Sequence, residues 1–513
     1  PIPPQRANPP SEGWDEPPAA ASLIDMEIAL VGAGAAAVGL LDALATTSLA
    51  RVRPGLITVF EPSPHLWRGR PYGPDLDTVL VNAPPAIMSI RHGDPGHYAA
   101  WLGESGAAHL DDLLGQPLVP RHRYGDYLAA TAEAALRTLR ANGWRTRIAR
   151  ARVTGVERRG DRLAVVAADG GRYAADQVAL CVGGGEPRDL YSLAAAPGYV
   201  HEPYPLARTL APIPADARVA VLGSGLTAVD VVVSLAARGH TGPITMLSRS
   251  GLLPHVWQRP SGHRPAHVTA ERVATAHREH GTVPLGHLIG LLRAELAEAG
   301  EDFDAFAADL LAAGTEDPVR RLRRQLRSVG DPRIGRRVLQ ETAHTVGPYA
   351  WRLLPESGRA RLRRHFRLAT SVASPMVPVN AATLLRLLDA GRLTLVPDVR
   401  AVEATGGGFA VTAGDSAIHV DAVVNAVNPP PQAVPRAAGE LVASLVSGGL
   451  AAFHPAGGVV PADPRVQVAG DLAGGGPFIT SGIPGIAAQA ARTADAMLTL
   501  ARDESSEAPA TLR

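Results

Sequence analysis

The chain carries one short device twice. VGAGAAAVG at Val31–Gly39 and VLGSGLTAVD at Val221–Asp230 each follow an apolar run and open onto Ala, Val and Leu at helical spacing. Read as G-x-G-x-x-A, they set Gly32, Gly34 and Ala37 in the first copy and Gly223, Gly225 and Ala228 in the second. The first glycine permits a tight turn, the second lets backbone approach a pyrophosphate, and the small third residue lets helix pack on strand. The helix N-terminus then faces the phosphates. Two such units predict an α/β protein with two Rossmann-like dinucleotide-binding domains.

The residues at the end of each unit's second strand separate the two copies. LITVFE ends at Glu61, a carboxylate placed to accept hydrogen bonds from ribose hydroxyls, whereas GPITMLSRS puts Ser248 and Arg249 there. An acid repels a 2′-phosphate, while Arg and Ser can bind one, so the first site suits FAD and the second NADPH. The competing reading of Arg249 is an ordinary surface arginine. Late in the chain, VQVAGDLAGGG places Asp471 after an apolar strand, where it could hold the ribityl or phosphate end of a flavin or merely cap a loop. A helix opening near Pro484 would turn its positive end to the flavin pyrimidine, and proline early in a helix loses no hydrogen bond.

Long helical runs such as LGHLIGLLRAELAEAG and VRRLRRQLRSV interrupt this pattern, and short strands return in GRLTLVPDVRAVEATGGGFAVTAG and DAVVNAV. The expected organisation is a Pro-rich disordered tail over 1–24, a first part of the FAD-binding domain over 25–205, and an NADPH-binding domain over 206–267. A helical insertion comes next, over 268–345. The second part of the FAD domain, with room for a return to the NADPH domain, spans 346–503, and a disordered tail spans 504–513. Basic and acidic side chains nearly cancel, 50 against 49, so no large field draws the protein to nucleic acid. The sequence contains no lysine, which removes Schiff-base catalysis. Its single cysteine, Cys181, cannot form an internal disulfide and reads as a buried structural thiol. The 17 histidines are scattered without metal-ligand spacing, so no metal is expected. The N-terminal segment lacks the pattern of a signal peptide and no apolar run reaches membrane-spanning length, which predicts a cytoplasmic protein without a membrane partner.

VLGSGLTAVDVVVSL followed by LSRSGLLPH, with VFEPSPHLWRGRPYG, LVNAPPAIMSI, VPRHRYGDYL and GRLTLV, resembles the FAD/NAD(P)-binding flavoprotein family that includes N-hydroxylating monooxygenases such as the nitrosuccinate-forming aspartate oxygenases. The likeness covers about residues 25–500. It implies an FAD-dependent, NADPH-consuming monooxygenase that works through a flavin C4a-hydroperoxide on molecular oxygen and a small metabolite. N-hydroxylation of an amine or amino-acid-like substrate in a biosynthetic pathway is the implied reaction. The resemblance places Asn82, Met88 and Ser89 beside the isoalloxazine ring, and has Gly470 and Asp471 complete the FAD site. SVASPMVPVN at Ser371–Asn380 and the NAVNPPP run depart from the family pattern near the substrate and flavin region. Baeyer–Villiger or sulfur oxygenation, a flavin dehydrogenase or oxidase, and a non-catalytic FAD-binding redox sensor therefore stay open.

No catalytic residue is assigned, and oligomeric state is not legible. Arg121, Arg364 and Arg367 are candidates by residue type to hold a substrate carboxylate, although RARLRRHFR reads more simply as a solvated helix face. GYVHEPYP, with Gly198, His201 and Tyr204, echoes in contracted spacing the Gly…His…aromatic fingerprint of flavin monooxygenases, or is a linker.

Overall fold

The computed structural model describes residues 26–47, 53–475 and 482–507. The expected tail at 1–24 lies outside them, as do residues 508–513 of the other. The backbone of residues 504–507 continues the last helix instead of leaving it.

The first unit begins with β1 (Glu27–Val31), α1 (Ala35–Thr46) and β2 (Leu56–Phe60). It continues through α2 (Arg121–Ala141), β3 (Arg145–Ala149), an antiparallel trio β4 (Val153–Arg159), β5 (Arg162–Ala167) and β6 (Arg172–Ala175), and β7 (Gln177–Leu180). β7, β1, β2 and β3 lie side by side as parallel strands. One face of this sheet packs on α1 and α2 and the other on the antiparallel trio, so after their first residues β1 and β7 are apolar and buried on both sides.

The second unit repeats the plan: β8 (Val219–Leu222), α3 (Leu226–Ala237), β9 (Ile244–Leu247), α4 (Pro378–Asp389), β10 (Leu393–Val396), a trio β11 (Val399–Thr405), β12 (Gly408–Ala413) and β13 (Ser416–Val420), then β14 (Ala422–Asn425). Its parallel sheet runs β14, β8, β9, β10, with a two-residue strand at Tyr199–Val200 on the β14 edge. Eight helices between Ala270 and Ala373 stand inside the crossover from β9 to α4.

The helical stretch is longer than its expected bounds. Helices run past residue 345 to Asp389, and β10 and β14 supply, within 346–503, the return to the second unit for which the expected organisation left room. The reason is topological: an insertion inside a crossover leaves the unit open until the chain emerges, so its third and fourth parallel strands must come after the helices. The return to the first unit comes with β15 (Val466–Val468), which pairs with β7, and α5 (Ile483–Glu507), which packs on α1.

A buried ionic joint ties the units together. Arg121, the first residue of α2, donates through Nη2 to Asp230 Oδ2 on α3 at 2.5 Å, through Nη1 to the Tyr204 hydroxyl at 3.1 Å and through Nε to the Leu80 carbonyl at 2.9 Å. Tyr204 in turn donates to Asp230 at 2.5 Å.

Candidate functional site

In the first unit Gly32 has φ +97°, and a Cβ there would fall against the Cys181 carbonyl oxygen, so only glycine lets the turn pass under β7. Its N–H bonds the Phe60 carbonyl at 2.8 Å. Gly34 is the N-cap of α1 with no side-chain cap, which leaves the first-turn N–H groups available to an anion. Ala37 is fully buried where helix meets strand. Glu61 accepts the Ala33 N–H at 2.9 Å through Oε2 and the Ser63 N–H at 2.8 Å through Oε1. Each oxygen keeps a second lone-pair direction for a hydroxyl.

The late Gly-Asp pair lies beside the first turn of α1. A Cβ on Gly470 would stand 3.2 Å from Ala36 Cβ, in the first turn of α1, and one on Gly184 would stand 2.9 Å from Asp471 Oδ2. Gly69 meets Gly34 backbone to backbone, with a Cβ on Gly34 3.6 Å from Gly69 Cα. Gly69, Gly184 and Tyr72, whose hydroxyl is pushed up to about 12 by burial, were not singled out by sequence reasoning.

The three residues expected at the isoalloxazine ring divide. Met88 and Ser89 turn inward: Met88 joins the core, its carbonyl accepts the Tyr124 hydroxyl at 2.7 Å, and the Ser89 hydroxyl donates to the Asp94 carbonyl at 2.6 Å. Asn82 keeps an unspent group. Its Oδ1 is buried without a partner among the described residues, although its backbone carbonyl accepts Trp257 Nε1–H at 2.6 Å.

In the second unit Gly223 has φ +114°, and a Cβ there would stand 2.8 Å from the Ala426 carbonyl oxygen. Ala228 is fully buried. Gly225 is different: its φ of −82° suits any residue, and a Cβ there meets nothing within 4 Å. No internal packing requires glycine at the uncapped start of α3, and the open space fits the backbone approach of a pyrophosphate. The Ser248 hydroxyl accepts the Gly251 N–H at 2.7 Å. Arg249 is exposed, and its charge acts on Tyr191, pulling the phenol down against burial, and on Arg367, holding that guanidinium below its ordinary range together with burial.

The arginines named as carboxylate clamps separate accordingly. Arg121 is spent on Asp230, Arg367 stands beside Arg249 in the second unit, and Arg364 is exposed at the end of a helix. His201 has both ring nitrogens buried without partners among the described residues, and Tyr204 belongs to the inter-unit joint. Cys181 is buried and its thiol is pushed up to about 12, which makes it inert. Among the described residues no group of three or more His, Cys, Asp or Glu side chains could hold a metal, and no helix is long and apolar enough to cross a membrane.

Residues 29–185 match a family model described as FAD-NAD(P)-binding. The matched segment contains the first Gly turn, Glu61 and the loop carrying Asn82. Over most of the chain, the fold is similar to that of three solved enzymes. They are an L-lysine 6-monooxygenase from Pseudomonas syringae (18% identity, 92% of this chain and 99% of that chain, TM-score 0.54), an ornithine N-hydroxylase from Kutzneria sp. 744 (14%, 94% and 100%, 0.55) and a cadaverine monooxygenase from Erwinia amylovora (12%, 93% and 94%, 0.54). No curated protein matches the chain in sequence.

Proposed function

We propose that the protein is an FAD-dependent monooxygenase that consumes NADPH and N-hydroxylates a small amine or amino-acid-like metabolite. The observation that carries the reading is duplication with divergence: one turn repeated, with Glu61 beyond it in one copy and Ser248 and Arg249 in the other. The likeness in fold to lysine, ornithine and cadaverine monooxygenases supports the amine as the substrate class.

Gly32, Gly34, Ala37, Glu61, Gly470 and Asp471 would hold FAD, with Asn82 facing its ring and Met88 and Ser89 bracing that loop. Gly223, Gly225, Ala228, Ser248 and Arg249 would hold NADPH. Bound FAD supplies two-electron storage and the activation of oxygen. The protein's own share is positioning and enclosure: the α1 and α3 N-termini bind phosphates, Glu61 accepts ribose hydroxyls, and Arg249 meets the 2′-phosphate.

FAD-reconstituted protein supplied with NADPH, oxygen and in turn L-lysine, L-ornithine, cadaverine and L-aspartate tests this. One amine should accelerate NADPH consumption and appear as a hydroxylamine in the mass spectrum. Peroxide release with every amine, together with oxygenation of a ketone or thioether probe, overturns the N-hydroxylase reading.

A further inference from the structure

An amine attacks oxygen through its lone pair, and an alkylammonium with an ordinary pKa of about 10 holds its proton at neutral pH. On the N-hydroxylase reading, something in the site must take that proton. The region around Asn82 contains one imidazole suited to it.

His344 lies near the end of the insertion helix Gly335–Thr345, which packs against the 85–87 turn, against α5 and against the neighbouring helices 347–353 and 366–373. Its ring stacks on Trp257, with centroids 6.5 Å apart and planes 26° from parallel. Trp257 reaches the Asn82 carbonyl through its indole N–H. On the other side, a Cβ on Gly482 would stand 2.8 Å from His344 Nδ1, so glycine there makes room for the ring just before α5 begins. The imidazole thus stands where the loop of Asn82, the helical insertion and the start of α5 converge. Asn82, whose backbone carbonyl holds Trp257, also carries the unpartnered Oδ1, a polar atom still open to a ligand.

The support beneath the ring is over-determined. Val256 N–H donates to Gln325 Oε1 at 3.0 Å, Gln340 Nε2 donates to the Val256 carbonyl at 3.0 Å, and Gln258 N–H donates to Gln340 Oε1 at 3.1 Å. Trp257 N–H donates to the Met376 carbonyl at 3.0 Å. Glutamines from two insertion helices therefore clamp the segment carrying Trp257, and Gln340 sits one turn before His344 on the same helix face.

We propose that His344 is the proton acceptor for the substrate ammonium: a ring nitrogen takes the N–H proton, the amine keeps the electron pair, and the imidazolium passes the proton to solvent. Burial pushes the imidazole below its ordinary value, against a weaker upward pull from the Ala373 carbonyl, so it is neutral and ready to accept at neutral pH. The charged groups on the elements packed against it include Arg352, Arg367 and Arg492, with Glu341 on its own helix. An ammonium brought into the same surroundings is depressed for the same reason, so the burial that lowers the imidazole does not by itself widen the gap between the two acids. His344 is half-buried as a residue, at the edge of the helical insertion.

The test uses the FAD-reconstituted holoprotein with L-lysine, L-ornithine and cadaverine as probes, and histidine ring NMR in which the resonance missing from His344→Gln assigns His344. The proposal expects a probe amine to shift that resonance. It also expects His344→Gln to hydroxylate about 100-fold more slowly at pH 7.5, recovering above about pH 9 as the amine loses its own proton. Anaerobic reduction of the variant's flavin by NADPH should stay within about twofold of wild type, which separates proton transfer from folding and cofactor binding. His344→Ala should regain rate with added imidazole. Hydroxylation by wild type and His344→Gln at equal rates across pH overturns the role of His344 alone. A wild type whose flavin is reduced by NADPH but which neither oxygenates nor binds any probe amine overturns the N-hydroxylase reading and this inference with it.

Discussion

In the first dinucleotide unit the strand after the glycine turn closes on Glu61, whose carboxylate accepts backbone N–H groups from Ala33 and Ser63; in the second it closes on Ser248, whose hydroxyl braces Gly251, beside the exposed Arg249. Elsewhere the two units match closely. In each, an aspartate immediately before the fourth parallel strand accepts the N–H where the first strand starts: Asp176 from Glu27 at 2.6 Å, Asp421 from Arg218 at 2.8 Å. Each of those aspartates also holds an arginine, Arg162 in one unit and Arg218 in the other. The scaffold is shared between the copies down to single side chains, and the charge at the strand end is what differs. On the proposed function the duplicated backbone is a phosphate-binding frame, and the residue beyond the second strand decides which dinucleotide that frame suits.

The strongest way to break the frame is at its turns. Gly32→Ala meets both a positive φ and the Cys181 carbonyl, and Gly223→Ala both a positive φ and the Ala426 carbonyl, so each should cost more than about 4 kcal/mol, with Gly32→Ala the worse. Urea unfolding, or the yield of soluble protein, checks this. Next comes the joint between the units. Arg121→Met leaves the fully buried Asp230 without its cation and should cost about 3–5 kcal/mol, while Arg121→Met with Asp230→Leu should recover much of that loss. Denaturant midpoints of the two variants measure the difference, and an Arg121→Met variant as stable as wild type would show the joint to be dispensable.

Sharpening the comparison takes gentler changes. Arg249→Ala should raise the apparent KM for NADPH about tenfold and leave that for NADH within about twofold, since only one of the two carries a 2′-phosphate. Gly225→Ala, in contrast to Gly223→Ala, should keep stability within about 0.5 kcal/mol while weakening NADPH, because its added methyl meets only the space meant for a ligand. The smallest effect is in acid. Arg218 holds the Asp421 carboxyl down at about 2, below its unfolded value of about 3.9, so its contribution is present above about pH 4 and disappears as pH falls through about 2. Because the pair is exposed the loss is slight; Asp421→Asn should flatten that part of the stability profile measured by urea titration at each pH.

The repeated turn, both strand-end residues and the late Gly-Asp pair were legible because they depend on local backbone geometry and on residue types at fixed spacing. The helical insertion was visible as a change of period, but not that it sits inside the second unit's crossover, since strand pairing across more than a hundred residues leaves no local trace. Arg121 illustrates the same limit. By type it is an anion clamp, and only the packing of α2 against α3 shows its charge to be spent on Asp230. Met88 and Ser89 share a short motif with Asn82, but burial turned them into the core and left only Asn82 with a free polar atom. His344 carried no signal at all, since its surroundings come from segments far apart in the chain.

The most direct test of one cofactor for each unit is anaerobic mixing of FAD-reconstituted protein with NADPH or NADH while the flavin absorbance is monitored. The account predicts bleaching of the bound flavin by NADPH, much slower bleaching by NADH, and loss of that preference in Arg249→Ala. A flavin that neither nucleotide bleaches, or an Arg249→Ala protein that keeps the full preference for NADPH, would contradict it.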